Sequence, residues 1–396
     1  MFPKSRLTMN NKKVKIIAAL VAVFFVAVAV SGLLLFTIYD TSLKPAEFEN
    51  LEAPASGIDS GYYRYCYYEL SAEEQAIYTV ILKSIYDMPE RIEIPKLVTG
   101  NLNKIFTAIS YDNPDLFCLG LNCKVYTEGL KTFFEPTYCI TKEEYKKQQD
   151  ELKTVVPVIL KGAEKYSAIY EKELYIHDYI VTNTVYVDPE TSTNANSIYG
   201  CLVEGKASCE GYSRAFQYLL SALNIDNRLV TGESTEDGEN YIGHMWNYVV
   251  LDGQGYFVDV TWDDPKTATQ VLRHTFFNVT TDDILLEHRD IEQSVPLCTA
   301  TRYNYFVYEK AFITNVETEQ LETAVENAVY NSSQRNYKCV ELRFADINSL
   351  NTAKDTLFNT GVVYTIYHDL GLIEDLVGAK VYYSTDEKMN ALCLFF

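Results

Sequence analysis

Three hydrophobic spacings follow one another along the chain. The first is an unbroken apolar run from Ile16 to Ile38, interrupted only by Ser31, Gly32 and Thr37. At about 1.5 Å per residue, such a run is long enough to cross a hydrocarbon core of about 30 Å. The second is helical spacing. Leu70-Ser71-Ala72-Glu73-Glu74 joins a serine cap to acids in the next turn and predicts a helix over 72–86. Thr141-Lys142-Glu143-Glu144 opens another, and Ile169, Leu174, Ile176, Tyr179 and Ile180 share one face of a helix over 167–182. Phe216, Leu219, Leu220 and Leu223 predict a buried helix that starts at or just after Cys209. The third is alternation. It predicts strands around 124–126 and 133–140, from His244 through Trp246, Tyr248 and Val250, over 256–261, and at Val340, Leu342 and Phe344.

After Tyr303 the pattern suggests a small α+β module. It has a helix from Thr318 to about Tyr330, a helical stretch over 346–358, a strand-like one over 361–368, and a closing hairpin over 378–396 turning at 384–388. The expected organisation is a tail over 1–15, a spanning helix over 16–38, a stalk over 40–61, and an α+β region over 62–150. A central domain over 151–300 and the C-terminal module over 301–396 follow.

Charge gives the apolar run an orientation. Lys4, Arg6, Lys12, Lys13 and Lys15 all precede it, and no acid occurs before Asp40. A cytoplasmic N-terminus and an extracellular body, held at the cell membrane by one pass, are expected. A cleaved signal peptide, with Ala27-Val28-Ala29 as its small-residue site, is the competing reading, and it also puts the body outside. The whole chain has net charge −20, so a nucleic-acid role is excluded. The nine cysteines contain no Cys-x-x-Cys, which argues against a zinc ribbon. Outside the cell, eight of them could pair, in an order the spacing does not reveal.

The candidate chemistry lies in three short segments: Gly205-Lys-Ala-Ser-Cys-Glu-Gly-Tyr-Ser213, Gly243-His-Met-Trp-Asn-Tyr-Val249 and Tyr256-Phe-Val-Asp-Val-Thr-Trp-Asp-Asp-Pro265. A thiol at a helix N-terminus sits in the positive end of the dipole, beside free N–H groups that can receive an oxyanion. Gly211 would let the first turn pack closely. Asp252-Gly253 reads as a two-residue hairpin turn, which pairs residues whose numbers sum to 505. His244 then faces Thr261, Trp246 faces Asp259, and His244 and Asp259 are diagonal neighbours about 7–8 Å apart at Cβ. A four-residue loop over 252–255 would instead offset them by about 13 Å. In the first register Cys209 is the nucleophile, His244 its base and then acid, and Asp259 the group that orients the imidazole. Asp263 and Asp264 read as turn and loop acids, His177 as a packed or surface histidine, and His368 as structural.

These segments resemble the three signature blocks of the transglutaminase-like superfamily, most closely its bacterial extracellular members, over about residues 165–290. The resemblance implies an α+β fold with a papain-like core: a helix carrying the cysteine, packed on an antiparallel sheet carrying the other two residues. It also implies catalytic positions at Cys209, His244 and Asp259. Tyr199, Asn196 and Trp246 are candidates for the second oxyanion donor. The expected activity is thioester-mediated acyl transfer on peptide or protein amides, with hydrolysis favoured over cross-linking and with a cell-wall or surface protein among possible substrates. No cofactor or metal is expected, since no loop shows an ion-binding pattern. A non-catalytic binding module on the same fold is the alternative.

Overall fold

The structure is a computed structural model that describes residues 64–96, 100–264, 272–335, 337–376 and 378–395. All of these belong to one compact unit, Ala53–Phe396. The expected tail, spanning run and stalk lie outside the described residues. Among the described residues no helix is long and apolar enough to cross a membrane. The expected placement as a single-pass membrane protein with an extracellular body is corrected on that finding. The longest helix, Lys142–Ala163, is no substitute, because charged residues lie along its length.

The N-terminal region packs helices α1 (Ala72–Ile85) and α2 (Leu102–Asp112) on a three-stranded antiparallel sheet. Its strands are β1 (Ile92–Ile94), β2 (Leu119–Glu128) and β3 (Lys131–Tyr138), in the order β1-β3-β2. Ser71 caps α1 in a reciprocal box with Glu74, as its spacing predicts. Helices α3 (Lys142–Ala163, capped by Thr141), α4 (Ile169–Asn183) and α5 (Cys209–Ala222) follow. They precede a four-stranded antiparallel sheet in the order β6-β5-β4-β7, made of β4 (Asp226–Ser234), β5 (Ile242–Leu251), β6 (Gln254–Val258) and β7 (His288–Arg289). Phe216, Leu219 and Leu220 of α5 are fully buried, in one core with Val230, Trp246 and Val249 of this sheet.

The hairpin register is the one the Asp-Gly dipeptide predicts. Leu251 pairs with Gln254 and Asn247 with Val258, so each pair sums to 505. Asp252 and Gly253 have φ of 48° and 74°, the paired positive values of a type I′ turn. The returning strand is shorter than expected: the ladder stops at Val258, and Thr261 does not pair with His244. The cause is local. Asp259 Oδ1 accepts the backbone N–H groups of Thr261 and Trp262, which turns the chain out of the strand.

The C-terminal region has helix α6 (Thr318–Gln334) and a four-stranded sheet in the order β8-β9-β11-β10. Its strands are β8 (Phe312–Ile313), β9 (Cys339–Phe344), β10 (Tyr383–Asp386) and β11 (Ala391–Phe395). Within this sheet only the β8–β9 pair is parallel. Residues 361–368, expected as a strand, form a helix instead, Val362–Asp369. Gly361 enters it with φ 82°, and Val363, Ile366 and Tyr367 bury one face at helical spacing. One continuous core joins Leu152 of α3 to Leu394 of β11. All nine cysteines are free thiols.

Candidate active site

Cys209 is the first residue of α5 and is half-buried. Ser208 makes no capping hydrogen bond, so no side chain takes up the first-turn N–H groups on its behalf. The close approach expected at Gly211 is present: a Cβ there would lie 2.2 Å from the Ala195 carbonyl oxygen and 2.8 Å from Ala207 Cβ. Two buried bonds then fasten this turn to β5. Ser213 Oγ donates to the Met245 carbonyl at 2.8 Å, and Asn247 Nδ2 donates to the Ser213 carbonyl at 3.0 Å. Ser213 is one turn beyond Cys209 and Met245 is next to His244. The same two anchors therefore set the distance between thiol and imidazole.

His244 Nε2 lies 2.6 Å from Asp259 Oδ2. The Cys209 thiol is within hydrogen-bonding reach of the same ring. Since Nε2 is committed to the carboxylate, Nδ1 is the nitrogen left for sulfur. Burial opposes charge on His244, but the Asp259 carboxylate and then Cys209 outweigh it, and its pKa is pushed up to about 10. Asp259 is wholly buried, which alone would raise its pKa, yet His244 and His288 hold it well below the usual carboxylate range.

His288 is the residue that sequence reading missed. Its Nε2 lies 2.9 Å from the same Asp259 oxygen, and its Nδ1 is 3.1 Å from the Ile284 carbonyl. Burial lowers its pKa, and the charge on His244 adds to that effect, whereas Asp259 works in the opposite direction. The two imidazoles thus share one carboxylate oxygen, which lifts the pKa of His244, while burial and the charge on His244 lower that of His288. No local motif marks His288. It reaches Asp259 through the edge pairing of β7 with β4, where Ser234 faces it.

The oxyanion candidates separate clearly. Asn196 lies beside the start of α5, where its Oδ1 accepts the Ser208 hydroxyl. Tyr199 is turned away and donates to Glu151 of α3 at 2.6 Å. Trp246 is fully buried and stacks on His244 with ring centroids 5.9 Å apart, and its buried indole N–H has no hydrogen-bond partner among the described residues. Asp263 and Asp264, expected as loop acids, are both buried. Asp263 pairs with His177 at 3.1 Å, and Asp264 accepts the Tyr212 hydroxyl. A cleft of about 490 Å³ opens beside His244, walled by Thr261, Trp262, Asp264 and Tyr186 and rimmed by Glu236 and Asp237.

The segment that carries these residues matches a known family. Residues 158–260 match the transglutaminase-like superfamily. The matched segment contains Cys209, His244 and Asp259 and ends one residue after Asp259; His288 lies beyond it. The chain therefore holds a transglutaminase-like core within a mixed α+β fold. No curated protein matches the chain. Among solved structures, a TGase is 16% identical, covering 46% of this chain and 53% of its own, with a TM-score of 0.27. A candidate cysteine protease from Cytophaga hutchinsonii is 13% identical, with 35% and 61% covered and a TM-score of 0.24. A candidate protease from Parabacteroides distasonis is 11% identical, with 34% and 35% covered and a TM-score of 0.21. The chain spans about half the length of the TGase it matches.

Proposed function

We propose that this chain is a thiol-dependent acyl-transfer enzyme that hydrolyses peptide or protein amides. The observation that supports this reading best is the His244 ring, held at 2.6 Å by Asp259 and within reach of the Cys209 thiol. In this reading His244 takes the thiol proton and the thiolate attacks the amide carbonyl. The oxyanion forms against the free N–H groups of the α5 first turn, with Asn196 nearby. The imidazolium then protonates the departing amine, leaving a thioester on Cys209. Water attacks the thioester with His244 as base, and the thiol is restored.

Hydrolysis is favoured over transfer to a second amine because part of the cleft wall is exposed, including Ile242 and Glu236, so water reaches the centre. The acids Glu236, Asp237 and Asp264 face this cleft, and its lining among the described residues includes no lysine or arginine. A peptide with basic residues beside the cleaved bond suits that lining.

Alkylation tests the centre. Iodoacetamide near neutral pH should label Cys209 ahead of the exposed Cys139, and His244→Ala should abolish that preference. If Cys209 reacts no faster than a free thiol such as glutathione, the proposal fails. Release of ammonia or of new amino termini, with and without an added primary amine, then separates hydrolysis from cross-linking.

A further inference from the structure

We propose that His177, Asp178 and His274 form a binding site for a divalent transition-metal ion, with Zn²⁺ the first choice. None of the three residues belongs to the cysteine centre. Helix α4 supplies His177 and Asp178, and the stretch after Trp262 supplies His274. Asp178 Oδ1 lies 3.1 Å from His177 Nδ1 and 3.0 Å from His274 Nε2, and one donor atom from each residue falls within 4.8 Å of the others. Tetrahedral zinc with bonds of about 2.0–2.1 Å sets its ligand atoms about 3.3–3.4 Å apart. The two closer separations need to open by only a few tenths of an ångström.

The surroundings are those of a ligand set. Each histidine turns its outer nitrogen to a second buried carboxylate: His177 Nε2 is 3.1 Å from Asp263, and His274 Nδ1 is 2.7 Å from Glu341. Carboxylate backing of this kind orients a metal-bound imidazole and makes it a better donor. The backing groups are themselves fixed. Asp263 accepts the Phe276 N–H at 2.9 Å and Glu341 accepts the His274 N–H at 3.1 Å. Tyr305 stacks flat on the His274 ring, with centroids 3.9 Å apart and planes 4° from parallel, and Tyr337 donates to the other oxygen of Asp178.

His177 and His274 are buried, but the Asp178 side chain is 18% exposed, which gives an ion a way in. Borderline first-row ions suit a mixed imidazole and carboxylate set.

The test uses the full chain, stripped with a chelator and titrated with Zn²⁺ against a chromophoric competitor. One equivalent should bind. Binding should persist in His244→Ala, which dismantles the other His–Asp–His group. Glu341→Gln should weaken it about 10–100-fold, and His274→Gln and Asp178→Asn should abolish the stoichiometric equivalent. The proposal is overturned if the wild-type chain takes up no Zn²⁺ at micromolar concentration. It is equally overturned if uptake survives Asp178→Asn or disappears with His244→Ala alone. Should His274→Gln fail to fold, the wild-type titration and the half-buried Asp178→Asn position still decide the matter.

Discussion

Asp259 decides the chemistry of the centre through four donors: two imidazoles on one oxygen and two backbone N–H groups on the other. Its charge is what lifts His244 to about 10. The sign follows directly. A histidine raised above its unfolded value of about 6.5 adds stability below that pH, and the gain is lost as pH rises through about 10. The same imidazolium is the acid that protonates the departing amine. Amide turnover should therefore persist through neutral pH and fall on an alkaline limb near pH 10. Asp259→Asn should bring that limb down towards 6.5 and cut amide turnover by a factor on the order of 10³ to 10⁴. A pH series of amide turnover on both proteins checks this, and an unmoved limb would remove Asp259 from its role.

At the scale of elements, Gly211 shows how tightly α5 is seated. Alanine at a helical position normally gains about 1 kcal/mol over glycine. Here the added Cβ would stand 2.2 Å from the Ala195 backbone oxygen, a contact that no side-chain rotation relieves. Overlap wins, and Gly211→Ala should destabilise the fold by about 1–3 kcal/mol in denaturant unfolding while slowing Cys209 labelling. What could be read from the sequence was what a few adjacent residues encode. The Ser71 capping box, the start of α5 at Cys209 and the Asp252-Gly253 register all have short-range causes. The closeness of His244 and Asp259 was expected from that register, although the ladder itself ends one residue short of Asp259. Residues 362–369 were misread because valine, isoleucine and tyrosine favour strands in isolation, whereas the burial of Val363, Ile366 and Tyr367 against the core favours a helix. His288 was not legible, because a two-residue edge strand brings it in from outside the motif. The pairing of His177 with His274 is likewise set only by how α4 packs against a distant loop.

Across the whole molecule, the C-terminal region completes the core around the candidate site. Val340, Leu342 and Leu394 are buried in the same cluster as Trp246 and Val258. Lys388, in the turn between β10 and β11, donates to Glu287 at 2.7 Å and to the Glu236 carbonyl at 3.3 Å. It thereby ties that turn to the neighbour of His288 and to the cleft rim. Glu341 of β9 reaches His274. A chain ending at residue 300 should therefore lose cooperative unfolding and the selective labelling of Cys209. Near-ultraviolet circular dichroism and alkylation mapping would show it, and a well-folded, selectively labelled fragment would refute it.

Because β11 follows Cys209, His244 and Asp259 in the sequence, it also sets an order of events during synthesis. Until residues 391–395 leave the ribosome, β9 lacks the neighbour that pairs with its whole length, Cys339 to Arg343. A growing chain is thus, for a time, the truncated chain just described. Cys209, His244 and Asp259 have all been made by then, but the wall behind them has not. The thiol would gain its reactivity only once β11 has been made and paired, which spares the nascent chain and its neighbours from a premature nucleophile.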